Sequence, residues 1–169
     1  MAEYDIDFGK KLAEAARVLL ELGVASQEAK RTVVYLSLLS TEISLKAMLE
    51  KAGMDPKQIR RRSHRLHDLL KDLCHCEIEI EIEIAPGSRV FVSAAKICPI
   101  PISYEGIETP VGRLICAEQE GASVYPNEVR YGANFRHFPA EVLVGMADAT
   151  SRFASEYWAT LRVKTSAQP

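Results

Sequence analysis

Residues 33–49 read Val33-Val34-Tyr35-Leu36-Ser37-Leu38-Leu39-Ser40-Thr41-Glu42-Ile43-Ser44-Leu45-Lys46-Ala47-Met48-Leu49. No glycine or proline interrupts them. Val34, Leu38, Leu45 and Leu49 fall on one face at the helical period and form an apolar stripe. Ser26 suits the N-cap, where a hydroxyl accepts a bond from a first-turn amide. Gly53 is the usual kind of stop. The spacing predicts a long second helix from about residue 26 to residue 52. Glu42 lies on the same stripe. A carboxylate on a buried face needs a partner, because an unpaired charge is costly to desolvate. Two readings of it stand. Glu42 sits at the stripe's edge or pairs with Lys46, one turn on; or it belongs to a functional site.

The flanking segments extend the helical pattern. Residues 8–22 carry Leu12, Ala15, Ala16, Leu19 and Leu20 at helical spacing, with Gly23 as a stop. Asp55-Pro56 reads as an N-cap followed by proline at the first helical position. Ser63 is expected to cap a third helix built on Leu66, Leu69, Leu70 and Leu73. His64 and His67, three apart, are expected to share a face. Hydrogen bonding at the core edge outweighs metal ligation for them, because no third ligand is near. The last helix is expected from Pro139 to about Lys164, with Val142, Met146, Ala149, Phe153, Tyr157 and Leu161 as its apolar set.

Between the third and last helices the period changes. Residues 77–84 repeat Glu-Ile four times. Strict alternation means a strand with a wet glutamate face and a buried isoleucine face. The row of like charges also discourages edge-to-edge aggregation. Pro86-Gly87 is a turn signal. Residues 89–97 are expected to return as a second strand, 103–110 to be a loop and 111–117 to add a short strand. The expected architecture is one domain, mainly α, with a small antiparallel β-insert at about 76–120.

The bulk numbers narrow the function. With 169 residues and a formal net charge of -2, the chain fits one domain and is not a globally basic nucleic-acid binder. Phosphate binding would need a local patch. Lys57, Arg60, Arg61, Arg62 and Arg65 form the densest one, readable as a solvated face or as a phosphate contact. The acidic start Met1-Ala2-Glu3-Tyr4-Asp5 does not read as a secretory signal. No run of about 18 purely apolar residues predicts a membrane span, so a cytoplasmic protein is expected. The four cysteines, unevenly spaced, are expected to be reduced thiols. Cys74-His75-Cys76 invites a metal, but its spacing is not that of a zinc knuckle and no second pair follows. Neither metal nor cofactor is expected.

The stretch Arg130-Tyr131-Gly132-Ala133-Asn134-Phe135-Arg136-His137 gathers groups suited to phosphate and proton handling. RNA carries its own nucleophile, the 2′-hydroxyl, so an enzyme that aligns it with the phosphate can work without a metal. An imidazole titrates near neutral pH and can carry the proton. Arg130 or Arg136 can hold a non-bridging oxygen and stabilise developing charge. Asn134 can orient His137 or contact the phosphate. The opposing reading makes Arg130 structural, paired with Glu42, and lets His137 pack near the last helix.

Three motifs together resemble the HEPN superfamily (higher eukaryotes and prokaryotes nucleotide-binding domain). They are Thr41-Glu42-Ile43-Ser44-Leu45-Lys46, then Ser63-His64-Arg65-Leu66-His67-Asp68-Leu69-Leu70, then Asn127-Glu128-Val129-Arg130-Tyr131. The resemblance covers most of the chain except the β-insert. It implies a four-helix up-down bundle that usually dimerises. Many members are metal-independent ribonucleases that use an arginine, four to six intervening residues and a histidine. Arg130 and His137 enclose six residues. The family's nucleases carry this element near or in the final helix, whereas Gly132 and Pro139 place much of it in a loop here. The resemblance implies Arg130 and His137 as catalytic groups; the chemistry of the residues themselves adds Asn134 beside them and Arg136, Tyr131, Glu42, Arg62 and Arg65 as candidate substrate contacts. A two-fold dimer would supply a second histidine, since one cannot easily be both acid and base. Other members bind nucleotides or partner proteins, some pairing with small nucleotidyltransferases in toxin–antitoxin systems, others occurring in phage defence.

Overall fold

The computed structural model describes residues 2–23, 26–82, 87–117 and 138–164. Over these residues the chain is mainly helical, with small antiparallel sheets. Helix α1 spans Ile6–Glu21, α2 Gln27–Lys51, α3 Pro56–Arg61 and α4 Leu66–Leu73. Strands β1 (Cys76–Glu81) and β2 (Arg89–Ser93) follow, then a 3-10 turn at Ala94–Ile97. The hairpin β3 (Pro101–Tyr104) and β4 (Ile107–Pro110) leads into α5 (Val111–Cys116). Helix α6 (Ala140–Tyr157) and strand β5 (Arg162–Val163) complete the order.

Two of the helix starts, at Ser26 and Asp55, are where the sequence puts them, and a third cap, Asp5, precedes α1. Ser26 Oγ accepts from the Ala29 amide at 3.1 Å. Asp55 caps α3 through the Lys57 amide at 2.7 Å, with Pro56 at the first position. Asp5 caps α1 through the Asp7 amide at 2.9 Å. Each satisfies an amide that has no partner inside its helix.

Helix α2 is the axis of the molecule. Val34, Leu38, Leu45 and Leu49 are all buried. They join a core with Leu66, Leu69 and Leu73 of α4, Ile78 of β1, Leu114 of α5, and Met146 and Phe153 of α6. By length and composition α2 could cross a membrane. In this fold most of it is covered by protein, including Ser37, Ser40, Thr41, Glu42, Ser44 and Lys46. The long helices α1, α2 and α6 pack on one another, and the eight-residue α4 packs on α2.

The α1–α2 crossing is close because Gly9 has no side chain. A Cβ there would lie 2.9 Å from Ser44 Oγ. Ser40 Oγ donates to the Gly9 carbonyl at 2.7 Å. Ser44 Oγ, also buried in this contact, has no hydrogen-bond partner among the described residues. An unpaired buried hydroxyl forfeits its hydration for nothing, so Ser44→Ala is expected to stabilise the fold by about 1 kcal/mol. Alanine's helix propensity adds in the same direction. Thermal melts of the two proteins check this, and a lower midpoint for the variant would show that the hydroxyl contributes.

The sequence expectations need four corrections. Ser63 does not cap the third helix. It takes a left-handed φ of 53°, and α4 begins later, at Leu66, after Arg65. This conformation costs a non-glycine residue about 1–2 kcal/mol, and it turns His64 toward α2. Residues 103–110 are not a loop but most of the β3–β4 hairpin, with Tyr104 paired to Ile107. Glu105 and Gly106 both have positive φ, 47° and 79°, as a two-residue type I′ turn requires. Residues 111–116 form a helix, not a strand, with Val111, Leu114 and Ile115 buried. A Cβ on Gly112 would fall 2.8 Å from Cys98 Cβ, so α5 sits directly on the end of the 3-10 turn.

The fourth correction concerns the sheet. It is not confined to an insert, and the last helix stops at Tyr157. Beyond it, Val163 pairs with Cys76 and Arg162 with Glu77, so β1 is central and β5 flanks it. On the other side Ile78 faces Val92 and Ile80 faces Val90. The glutamate row does not stand alone. Glu79 lies 3.6 Å from Arg89, and Glu77 3.3 Å from Arg162, whose guanidinium covers the Phe91 ring at 3.3 Å.

Candidate functional site

The middle of α2 places Glu42 inside the molecule, with its side chain 5% exposed. One turn on, Lys46 is also buried, and its ammonium donates to Glu42 Oε1 at 2.7 Å. Tyr4 covers this pair from the N-terminal segment, its ring centroid 5.5 Å from Lys46 Nζ. That segment is tied to α2 by Glu50, whose carboxylate accepts the Glu3 and Tyr4 amides at 2.8 and 2.9 Å. The Tyr4 phenol is pushed up to about 12, by burial first and by the Glu3 charge second.

This shift has a signed consequence. The folded protein favours the neutral phenol, while the unfolded chain ionises near pH 10. The associated stability is therefore present below pH 10 and is lost as pH rises toward 12. In an ultraviolet phenolate titration of the folded protein, Tyr4→Phe is expected to remove a step near pH 12. If the variant instead loses a step near pH 10, Tyr4 is not covered as described.

The third member of the cluster is His64, in the short connection between α3 and α4. Its Nδ1 lies 2.9 Å from Glu42 Oε2 and 3.1 Å from Oε1. A carboxylate only accepts, so Nδ1 carries the proton. The imidazole is 37% exposed, and it is the opening of an otherwise buried network. A buried carboxylate is thus balanced by one buried ammonium and one half-exposed imidazole.

The neighbouring cations are partly committed. Arg62 donates to Asp72 through Nε at 2.6 Å and Nη2 at 3.1 Å, a side-on bidentate pair. That carboxylate's hydrogen bond and charge hold the guanidinium above its usual range. Arg65 lies 2.9 Å from Asp68, and Arg60 3.2 Å from Glu3. Arg61 and Lys57 form no ion pair with a described residue.

Of the residues expected as catalytic groups or substrate contacts, Glu42, Arg62 and Arg65 are among the described residues. Glu42 has the Lys46 partner that its i, i+4 spacing offered, and in addition His64, which the sequence did not assign to it. Arg62 and Arg65 flank His64 in the chain. Arg130, Tyr131, Asn134, Arg136 and His137 lie outside the described residues. His64 and His67 do not share a face. His64 precedes α4 and turns to Glu42, while His67 Nδ1 lies 3.4 Å from Cys116 Sγ. Cys74 and Cys98 bring their sulfurs to 3.8 Å. Burial pushes the Cys76 and Cys98 thiols up to about 11. Among the described residues no three His, Cys, Asp or Glu side chains converge as a metal site.

Comparison with protein-family models, with curated proteins and with solved structures finds no match to this chain.

Proposed function

We propose that the chain is a HEPN-like domain, with α1, α2, α4 and α6 as an up-down bundle, that cleaves RNA without a metal. It works in the cytoplasm as a dimer, in a toxin–antitoxin or phage-defence setting. The observation that carries this reading is the buried Glu42–Lys46–His64 cluster. Well-packed apolar side chains serve stability at least as well as a buried ion pair. Charges held inside a core that reach the surface at one imidazole fit a site better than a scaffold.

In this reading Arg130 stabilises the charged phosphorane, His137 moves a proton and Asn134 orients it. Arg136, Tyr131, Arg62 and Arg65 contact the substrate. The products are a 2′,3′-cyclic phosphate and a 5′-hydroxyl, and DNA is inert because it lacks the nucleophile. His137→Ala is expected to lower RNA cleavage, measured with chelator present, by about 10²–10⁴-fold. Cleavage at the wild-type rate in that variant would sink the assignment.

A second reading has its own support. Arg60, Arg62 and Arg65 are each held by a carboxylate of the same chain, and the net charge is -2. A non-catalytic module of the same fold, binding a nucleotide or a nucleotidyltransferase-type antitoxin, needs no strong RNA field. It predicts saturable nucleotide or partner binding with no RNA cleavage at any salt concentration.

A further inference from the structure

We propose that Cys74 and Cys98 form a redox-active dithiol that closes to a disulfide by exchange with small disulfides. The site is separate from the Glu42 cluster and does not depend on the ribonuclease reading. The two residues are 24 positions apart in the chain, and the fold brings their sulfurs to 3.8 Å, one thiol donating to the other. Each closes an element: Cys74 is the C-cap of α4 and Cys98 that of the 3-10 turn. Both are half-buried and keep part of their surface open to a small reagent, whereas Cys76 nearby in the chain is buried.

The contact is held from both sides. Ser93 Oγ donates to the Cys74 carbonyl at 2.8 Å, which ties the start of the 3-10 turn to the end of α4. The Gly112 amide donates to the Cys98 carbonyl at 2.9 Å. Cys98 Cβ lies directly against Gly112, where an added Cβ would be only 2.8 Å away, so Cys98 has no room to retreat toward α5. A disulfide bond is about 2.0 Å long, which leaves the sulfurs about 1.8 Å to close. Side-chain torsions and the two cap residues, standing at element ends, take up that approach.

The order of events follows from the same contact. Burial pushes both thiols up, Cys98 to about 11. A hydrogen bond from Cys98 favours the Cys74 thiolate, so Cys74 attacks first. Its sulfur bonds to one half of the external disulfide and expels the other half as a thiolate. Cys98 then loses its proton to solvent, attacks the Cys74 sulfur and expels the second half. Two protein thiols are oxidised and one external disulfide is reduced to two thiols, so no other reactant is needed. A thiol with a raised pKa is a poor leaving group, so the closed bridge reopens slowly and needs excess external thiol.

The test incubates the folded full chain with oxidised glutathione, blocks remaining thiols with N-ethylmaleimide and maps the tryptic peptides by mass. A disulfide joining residues 72–89 to residues 97–113 is expected, and excess dithiothreitol is expected to remove it. The first peptide also carries Cys76, so Cys76→Ser is expected to keep the link and Cys74→Ser to abolish it. Should Cys74→Ser not fold, Cys74→Ala packs as an apolar residue and serves in its place. The bridged chain is expected to melt roughly 10 °C higher than the reduced one, because the bridge restricts the unfolded state. Recovery of both peptides only as maleimide or glutathione adducts overturns the inference. So does a link that survives loss of Cys74, or a lower melting midpoint for the bridged chain, which would show that the native fold does not accommodate the bond.

Discussion

Replacing Glu42 by alanine is expected to destabilise the fold by about 3–5 kcal/mol, the cost of breaking a buried pair from one side. The variant strands the Lys46 ammonium, whose side chain is 8% exposed in the wild type, without the Glu42 carboxylate that accepts from it. It also releases His64 from its two contacts at 2.9 and 3.1 Å. For a chain of 169 residues this corresponds to a fall of roughly 10 °C in thermal midpoint. The pair as a whole behaves differently from its halves. Glu42→Leu with Lys46→Met removes both charges, and stability is expected to return to within about 1 kcal/mol of the wild type or to exceed it. The double variant nevertheless lacks the carboxylate that holds His64 at 2.9 Å. Denaturant titration of the single and double variants checks the stability terms. A single-variant loss below about 1 kcal/mol would mean that water reaches Lys46.

One turn along the same helix, Leu45→Ala is expected to cost about 2–5 kcal/mol for a different reason. Leu45 is fully buried in the core. Truncation removes its apolar contacts and leaves a cavity that the neighbouring helices only partly fill. Leu45→Met, which keeps volume, is expected to cost less than about 1.5 kcal/mol. The two losses can be told apart by repair. The Glu42 defect is relieved by deleting a second charge, whereas the Leu45 defect is relieved only by restoring volume. Chemical denaturation of the Leu45 pair checks this, and equal losses for alanine and methionine would point to shape rather than a cavity.

The helical framework was legible because its determinants are local. Ser26 and Asp55 cap α2 and α3 where hydroxyl and carboxylate stand before the apolar series. Glu42 announced itself by falling on an apolar stripe, and Lys46 by its spacing. What was not legible depends on distant parts of the chain. The His64–Glu42 bond joins residues 22 apart, and it goes with a left-handed Ser63 that no local rule requires. Glu105 is an unusual first residue for a type I′ turn, where Asn, Asp or Gly is preferred, so the β3–β4 hairpin read as a loop. The apolar run of α5 is too short for its period to separate helix from strand. Strand β5 has two residues and exists through its pairing with β1. The Arg130–His137 element lies outside the described residues.

That last pairing sets a timetable for biosynthesis. The Arg162 and Glu77 side chains meet across 85 residues of chain. The Val163 amide also closes on the Ala52 carbonyl, at the end of α2, at 3.1 Å. As the chain leaves the ribosome, β1 can pair with β2 early, but its other edge stays bare until residues 162–163 emerge. Through that interval the Cys76–Glu77 edge offers unpaired amides and carbonyls to any neighbouring strand. The glutamates along β1 are then a nascent chain's guard against misassociation, retired once Arg162 arrives to neutralise the first of them.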